Sequence, residues 1–233
     1  DAVGRGCEQL VMGIGGSATC DAGQGMLQAL HDRGCWPVKC HTVVACDVDN
    51  PLYGPQGAAY IFAPQKGATP EQVVELDGKL REFARRTELD GVASRALAFH
   101  PGAGAAGGLG YALLAYLKAE LRSGIDIMLD LARFDQMIAE ADLVITGEGK
   151  SDNQTLMGKV PHGVLKRCKA AGVPVWLLSG AIDDAQGTLA REFNLVRSIN
   201  ENDHRPLEQL LQPQVAMANM QQSVKQLLQF MRR

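Results

Sequence analysis

"GIGGSATCDAGQGMLQAL", residues 13–30, decides how the rest of the chain is read. It is entered from Leu10-Val11-Met12-Gly13-Ile14, a short and continuously apolar run of the kind that fills a buried parallel strand. Beyond the glycines, Met26, Leu27 and Leu30 fall at helical spacing. Strand, glycine-rich loop and helix together form the arrangement that turns backbone N–H groups and a helix N-terminus toward an anion. The same order also fits a tight strand-to-helix turn with no ligand, and the motif alone leaves both readings open. It is not a P-loop, because no G-x4-G-K-[ST] is present. It is not a dinucleotide fingerprint either, because Ala18 stands where the third glycine belongs.

Working outward, strands and helices alternate, which predicts an α/β protein with largely parallel sheets. Thr42 to Asp47 reads as a buried strand ending in a carboxylate, followed by the long loop "DVDNPLYGPQGAAYIFAPQKGATP". Pro70 to Thr87 is an amphipathic helix with Val73, Leu76, Leu80 and Phe83 on one face. A second glycine-rich loop, "HPGAGAAGGLG", precedes a helix over Tyr111 to Leu121; "GIDIMLDL" reads as a strand and Phe134 to Ala141 as a short helix. Asp142 to Thr146 is a strand, and Gly158 to Ala171 a helix interrupted near its start by Pro161. A strand within Gly172 to Gly180, a helix over Ala185 to Phe193, a weak strand over Leu195 to Ile199 and a polar helix from Pro206 complete the order. No internal repeat is visible, and a domain boundary is expected near residues 134–141.

The 233 residues suffice for one large α/β domain or two small ones, and 46% apolar with 21% charged residues is an ordinary globular composition. A net charge of −3 gives no bulk attraction to nucleic acid or an anionic membrane. No apolar run approaches the roughly 18 residues that span a bilayer, and no signal peptide is visible. The six cysteines (Cys7, Cys20, Cys35, Cys40, Cys46, Cys168) are too few for a disulfide scaffold. Cys35, Cys40, His41 and Cys46 lack the paired C-x2-C spacing of a zinc site, so reduced cytosolic thiols are expected. The chain opens at Asp1 on its first strong element, which predicts preceding residues or a fragment.

Chemistry gathers after three strands, in the Gly13, Asp47 and Gly147 loops, and open parallel sheets bind ligands beyond the carboxyl ends of their strands. Asp47, Asp49 and Asn50 suit a hydrated Mg²⁺ or substrate hydroxyls, although Asp49 and Asn50 also suit an Asx turn before Pro51. Lys66, between Pro64 and Gly67, is either a point charge for phosphate or a solvated lysine. Glu148, Asp152, Gln154, Thr155 and Lys159 crowd a loop bracketed by Gly147, Gly149 and Gly158, which favours a functional role over a solvated turn. His100 and His162 stand alone and read as surface or packing residues. From residues alone, the chain is an anion-binding α/β enzyme.

Four blocks in order then resemble the signatures of bacterial-type glycerate kinases: "GIGGSATCDAGQGMLQAL", "ACDVDNPLYGPQGAAYIFAPQKGA", "PGAGAAGGLGYALLAYL" and "ADLVITGEGKSDNQTLMGKVPHGV". The resemblance runs from about Cys7 to Gly180 and weakens beyond. It implies two α/β domains with mostly parallel sheets, one of them flavodoxin-like, with the active site in the cleft between them. Carried over by motif, residues 1–135 are the central inserted domain. Residues 136–233 are the C-terminal part of the flavodoxin-like domain, whose N-terminal part lies outside this chain. The implied activity is phosphorylation of D-glycerate by ATP with Mg²⁺, members close to this pattern giving 2-phosphoglycerate, in the cytoplasm; a homodimer is the assembly to test. The rival class is a non-catalytic small-anion-binding module.

Residue chemistry suggests the roles. Asp47, Lys66 and Asp152 are the catalytic candidates, with Asp47 as base or hydroxyl orienter. Gly15, Gly16, Ser17, Thr19, Asp21, Asn50, Gly104, Gln154, Thr155 and Lys159 are candidates for substrate and phosphate oxygens, and Glu148 with Asp152 for Mg²⁺. Three departures from the family stand out. Its members are longer and begin with a segment bearing aspartate, serine and lysine. They carry a longer excursion where this chain has Leu30 to Thr42. They also commonly have asparagine at the position of Cys20.

Overall fold

The apolar run ahead of the first glycine loop forms β1 (Gln9–Gly13), and the loop leads into α1 (Gln24–Asp32) in a computed structural model that describes residues 1–231. β2 (His41–Ala45) pairs with β1 in parallel, Val11 opposite Val43. Its three central residues, Thr42, Val43 and Val44, are buried, as a strand with neighbours on both sides requires. The long loop after Asp47 is not wholly irregular: it contains the short α2 (Ala58–Phe62), whose two alanines are buried, and a 3-10 turn at Pro64–Lys66. α3 (Pro70–Leu89) starts on a capping box. Thr69 accepts the Gln72 N–H while the Gln72 side chain accepts the Thr69 N–H, and Pro70 occupies the first turn. Val73, Leu80 and Ala84 face a core shared with Leu52, Tyr53 and Tyr111.

α4 (Ala105–Leu117) ends earlier than the sequence pattern suggests, because Lys118 turns left-handed and Glu120–Arg122 pairs beside β2 as β3. The first sheet is thus β1-β2-β3, all parallel. "GIDIMLDL" is a helix, α5 (Gly124–Leu131), and not the strand its alternation suggests. The Ser123 hydroxyl accepts the Asp126 N–H at 3.2 Å, and Asp47 accepts the Gly124 N–H at 2.8 Å, so both groups cap its first turn. α6 (Phe134–Ile138) follows.

β4 (Val144–Thr146), β6 (Val175–Ser179) and β8 (Leu195–Ser198) make a second parallel sheet in the order β4-β6-β8, with every residue of β6 buried. β5 (Lys150–Ser151) and β7 (Ala181–Ile182) form a small parallel pair beyond it. α7 (Val160–Ala171) runs unbroken, because Pro161 lies in its first turn, where a missing N–H costs nothing. α8 (Thr188–Glu192) is shorter than expected, and the polar C-terminal segment splits at Pro213 into α9 (Leu207–Leu210) and α10 (Pro213–Met231). The chain divides into compact units at Asp1–Ile127 and Met128–Arg233, so the division falls within α5, ahead of residue 135. Among the described residues, no helix is long and apolar enough to cross a membrane.

Candidate active site

In the first unit, the parallel pairing of β1 and β2 sets their carboxyl ends side by side, and the loops leaving them meet around a cavity of about 310 Å³. Gly15, Gly16, Ser17, Asp47 and Lys66 all line it. A Cβ on Gly15 or Gly16 would meet nothing within 4 Å, so their backbone borders open space. Lys66 reaches across from the turn after α2. Its Nζ donates to Ser17 Oγ and to the Thr19 carbonyl, both at 2.7 Å, and so clips the glycine loop in place while bringing its charge to the cavity.

The other residues of this unit are held differently. The Thr19 hydroxyl donates to Asp21 Oδ1 at 2.8 Å, and that oxygen also accepts the Gly23 N–H, so the two side chains shape the turn into α1. Asn50 donates to the Gln56 carbonyl and closes the loop after β2. Gly104 is explained by a close approach: a Cβ there would lie 2.1 Å from the Pro51 carbonyl oxygen. Neither Asn50 nor Gly104 lines the cavity. Cys46 does, but burial pushes its thiol above the ordinary range, which disfavours the thiolate.

In the second unit, the loop between β4 and α7 is pinned against the exit of β6. Asp183 N–H bonds to the Ser151 carbonyl and Ala181 N–H to that of Gly149. Gly147 is required here, since a Cβ would lie 2.0 Å from the Leu178 carbonyl oxygen. Within this loop Glu148, Asp152, Thr155 and Lys159 come together. Lys159 Nζ lies 3.8 Å from Glu148 Oε2 and 3.8 Å from Asp152 Oδ1. The Thr155 hydroxyl donates to Glu148 Oε1 at 2.5 Å, and Asp152 caps the 3-10 turn Asn153–Leu156 through the Gln154 N–H. Gln154 itself is exposed.

Two residues here escaped sequence reasoning. Ser151 Oγ lies 3.0 Å from Glu148 Oε1 and 2.6 Å from Ser179 Oγ. Ser179 ends an apolar strand and carries no local signal of function. Ser151 sat inside the polar loop and could have been found there. His100 bonds its ring to the Pro101 carbonyl and His162 receives the Gly158 N–H, so both have local partners.

Among the described residues, no group of three or more His, Cys, Asp or Glu side chains is placed to hold a metal ion. The Glu148 and Asp152 carboxylates nevertheless suit Mg²⁺ chemically. That ion is commonly bound through one or two carboxylates, with waters and substrate phosphates completing its shell. Lysine nitrogens and open backbone N–H groups likewise suit the phosphates of a nucleotide.

The sequence pattern of the glycerate kinase family matches residues 1–34 and 36–232. A glycerate kinase of Halalkalibacterium halodurans is 43% identical over 209 residues, covering 78% of this chain and 54% of its own length. The glycerate 2-kinase of Escherichia coli is 38% identical over 238 residues, covering 87% of this chain and 61% of its own. A crystal structure described as glycerate kinase 2 of Salmonella typhimurium LT2 superposes with a TM-score of 0.70 at 39% identity, over 84% of this chain and 58% of that one. The chain therefore spans little more than half the length of the relatives it matches. With its two α/β units and both polar loops inside the matched residues, the chain belongs to the glycerate kinase family.

Proposed function

We propose that this chain takes part in the ATP- and Mg²⁺-dependent phosphorylation of D-glycerate to 2-phosphoglycerate in the cytoplasm. The observation that carries the proposal is the family match, which includes both the Lys66 cavity and the Glu148 loop. Relatives named glycerate kinase and glycerate 2-kinase support the substrate and the product, respectively. On this proposal residues 1–135 belong to an inserted domain and residues 136–233 to part of a flavodoxin-like one.

Phosphoryl transfer asks a protein mainly for positioning and charge neutralisation. Lys66, Ser17 and the backbone at Gly15 and Gly16 gather anionic oxygens of substrate or phosphate in the first unit. Asp47 orients the attacking hydroxyl: its Oδ1 is held by the Gly124 N–H, and Oδ2 remains to take up a proton. In the second unit Glu148 and Asp152 would hold Mg²⁺, whose charge, when bound, offsets that of the phosphates. Lys159 adds positive charge beside them.

The test is ADP release by the intact protein with ATP, Mg²⁺ and D-glycerate, with the product read by ³¹P NMR. Glycerate-dependent ADP together with 2-phosphoglycerate is expected. 3-Phosphoglycerate would overturn the regiochemistry alone. Glycerate or nucleotide binding without turnover would favour the small-anion-binding module. Light scattering on the same sample tests the homodimer.

A further inference from the structure

Three of the fully buried polar side chains, Ser151, Thr155 and Ser179, all bear on one carboxylate, that of Glu148. Ser151 and Thr155 are 0% exposed and Ser179 is 1% exposed, so water does not compete for their hydroxyls. An ionised carboxylate only accepts, so Ser151 and Thr155 must both donate to Glu148 Oε1. Each hydroxyl has one proton. With its proton committed to Glu148, Ser151 can only accept from Ser179, which fixes the direction of the 2.6 Å contact between them. Thr155 is ordered in the same way, since its oxygen accepts the Asp152 N–H at 3.0 Å. Two chains of donors therefore end on Oε1. Oε2 is left facing Lys159 at 3.8 Å.

We infer that Ser179 and Ser151 are positioning residues: a one-way hydroxyl relay from the carboxyl end of β6 that presents Glu148 Oε2 to the metal–nucleotide. The inference rests on the phosphoryl-transfer proposal for what Glu148 does, but not for how it is held. Ser179 is anchored in the fully buried strand β6, so the relay ties the aim of a loop carboxylate to the rigid centre of the sheet.

A double-mutant cycle tests it. Ser179→Ala is expected to lower kcat about tenfold and to raise the half-saturating Mg²⁺ concentration, with KM for D-glycerate within about twofold. In a Glu148→Gln background, Ser179→Ala is expected to lower kcat no further. Equal losses in both backgrounds, or wild-type kcat in Ser179→Ala, would overturn the relay. Ser151→Ala breaks the chain one link nearer to Glu148 and carries the same test if Ser179→Ala does not fold. A second cycle, Ser179→Ala against Glu148→Ala, is read by urea unfolding and needs no activity. Non-additive unfolding free energies are expected, and additive ones overturn the relay. If the wild type shows no glycerate-dependent turnover, the phosphoryl-transfer proposal fails and the unfolding cycle alone decides the inference.

Discussion

At the residue scale, Asp152 serves two purposes with one carboxylate. Its Oδ1 accepts the Gln154 N–H at 2.9 Å and its backbone N–H bonds to Thr155 Oγ1 at 3.0 Å, which makes it the cap of a 3-10 turn. The same oxygen lies 3.8 Å from Lys159, which makes it part of a charged cluster. Asparagine caps about as well as aspartate but carries no charge, so Asp152→Asn separates the two purposes. If the charge helps to hold Mg²⁺, the variant should lose about tenfold or more in kcat and need more Mg²⁺ for half-saturation. Its Tm should stay within about 2 °C of wild type, because the cap survives. Kinetics across a Mg²⁺ titration, with a thermal melt of each protein, make the comparison. Unchanged kcat and unchanged Mg²⁺ dependence would leave Asp152 a cap and nothing more.

At the scale of elements, the sequence was most legible where a single physical demand set the pattern. β2 and β6 are mostly apolar and buried because both lie in the middle of their parallel sheets, and α3 shows its period and its capping box together. α5 was misread because Ile125, Ile127, Leu129 and Leu131 alternate as they would in a strand, although Ser123 with Asp126 three residues on is a helix-start signal. Its other cap, Asp47, lies 77 residues away in sequence and could not be read locally. The candidate site divides in the same way. Polar residues just past strand ends were visible, whereas Ser179, buried in an apolar strand, was not. Lys66 was visible as a charge but not as the clip on Ser17 and Thr19. If the Ser123 cap sets α5, Ser123→Ala should cost about 1 kcal/mol in urea unfolding. A cost near zero would leave the start of α5 to the Asp47 contact.

At the scale of the whole molecule, carboxylates in both units are held below their ordinary range. Hydrogen bonds from Arg85 and then Arg86 lower Glu82 from 4.5 to about 2. Asp203 is lowered by Arg205 and then Asn219, Glu192 by Lys169, and Glu75 by Lys79. Burial tends to raise Asp184, but the backbone N–H groups of Ala190, Leu189 and Thr188 outweigh it and lower this carboxyl as well. A carboxyl depressed in the folded state contributes stability that is present above its unfolded pKa and lost as pH falls toward the folded value. For Glu82 that window runs from about 4.5 down to about 2. Glu82 belongs to the first unit and Asp203 to the second, so acid should weaken both. Most of these pairs are solvent-exposed, so each contributes little and salt screens it. The urea midpoint should therefore be nearly flat from about pH 7 to pH 5 and fall below about pH 4.5, less steeply when salt is added. A midpoint that rises between about pH 5 and pH 3 would mean that these carboxylates are not held in their ionised form by the fold.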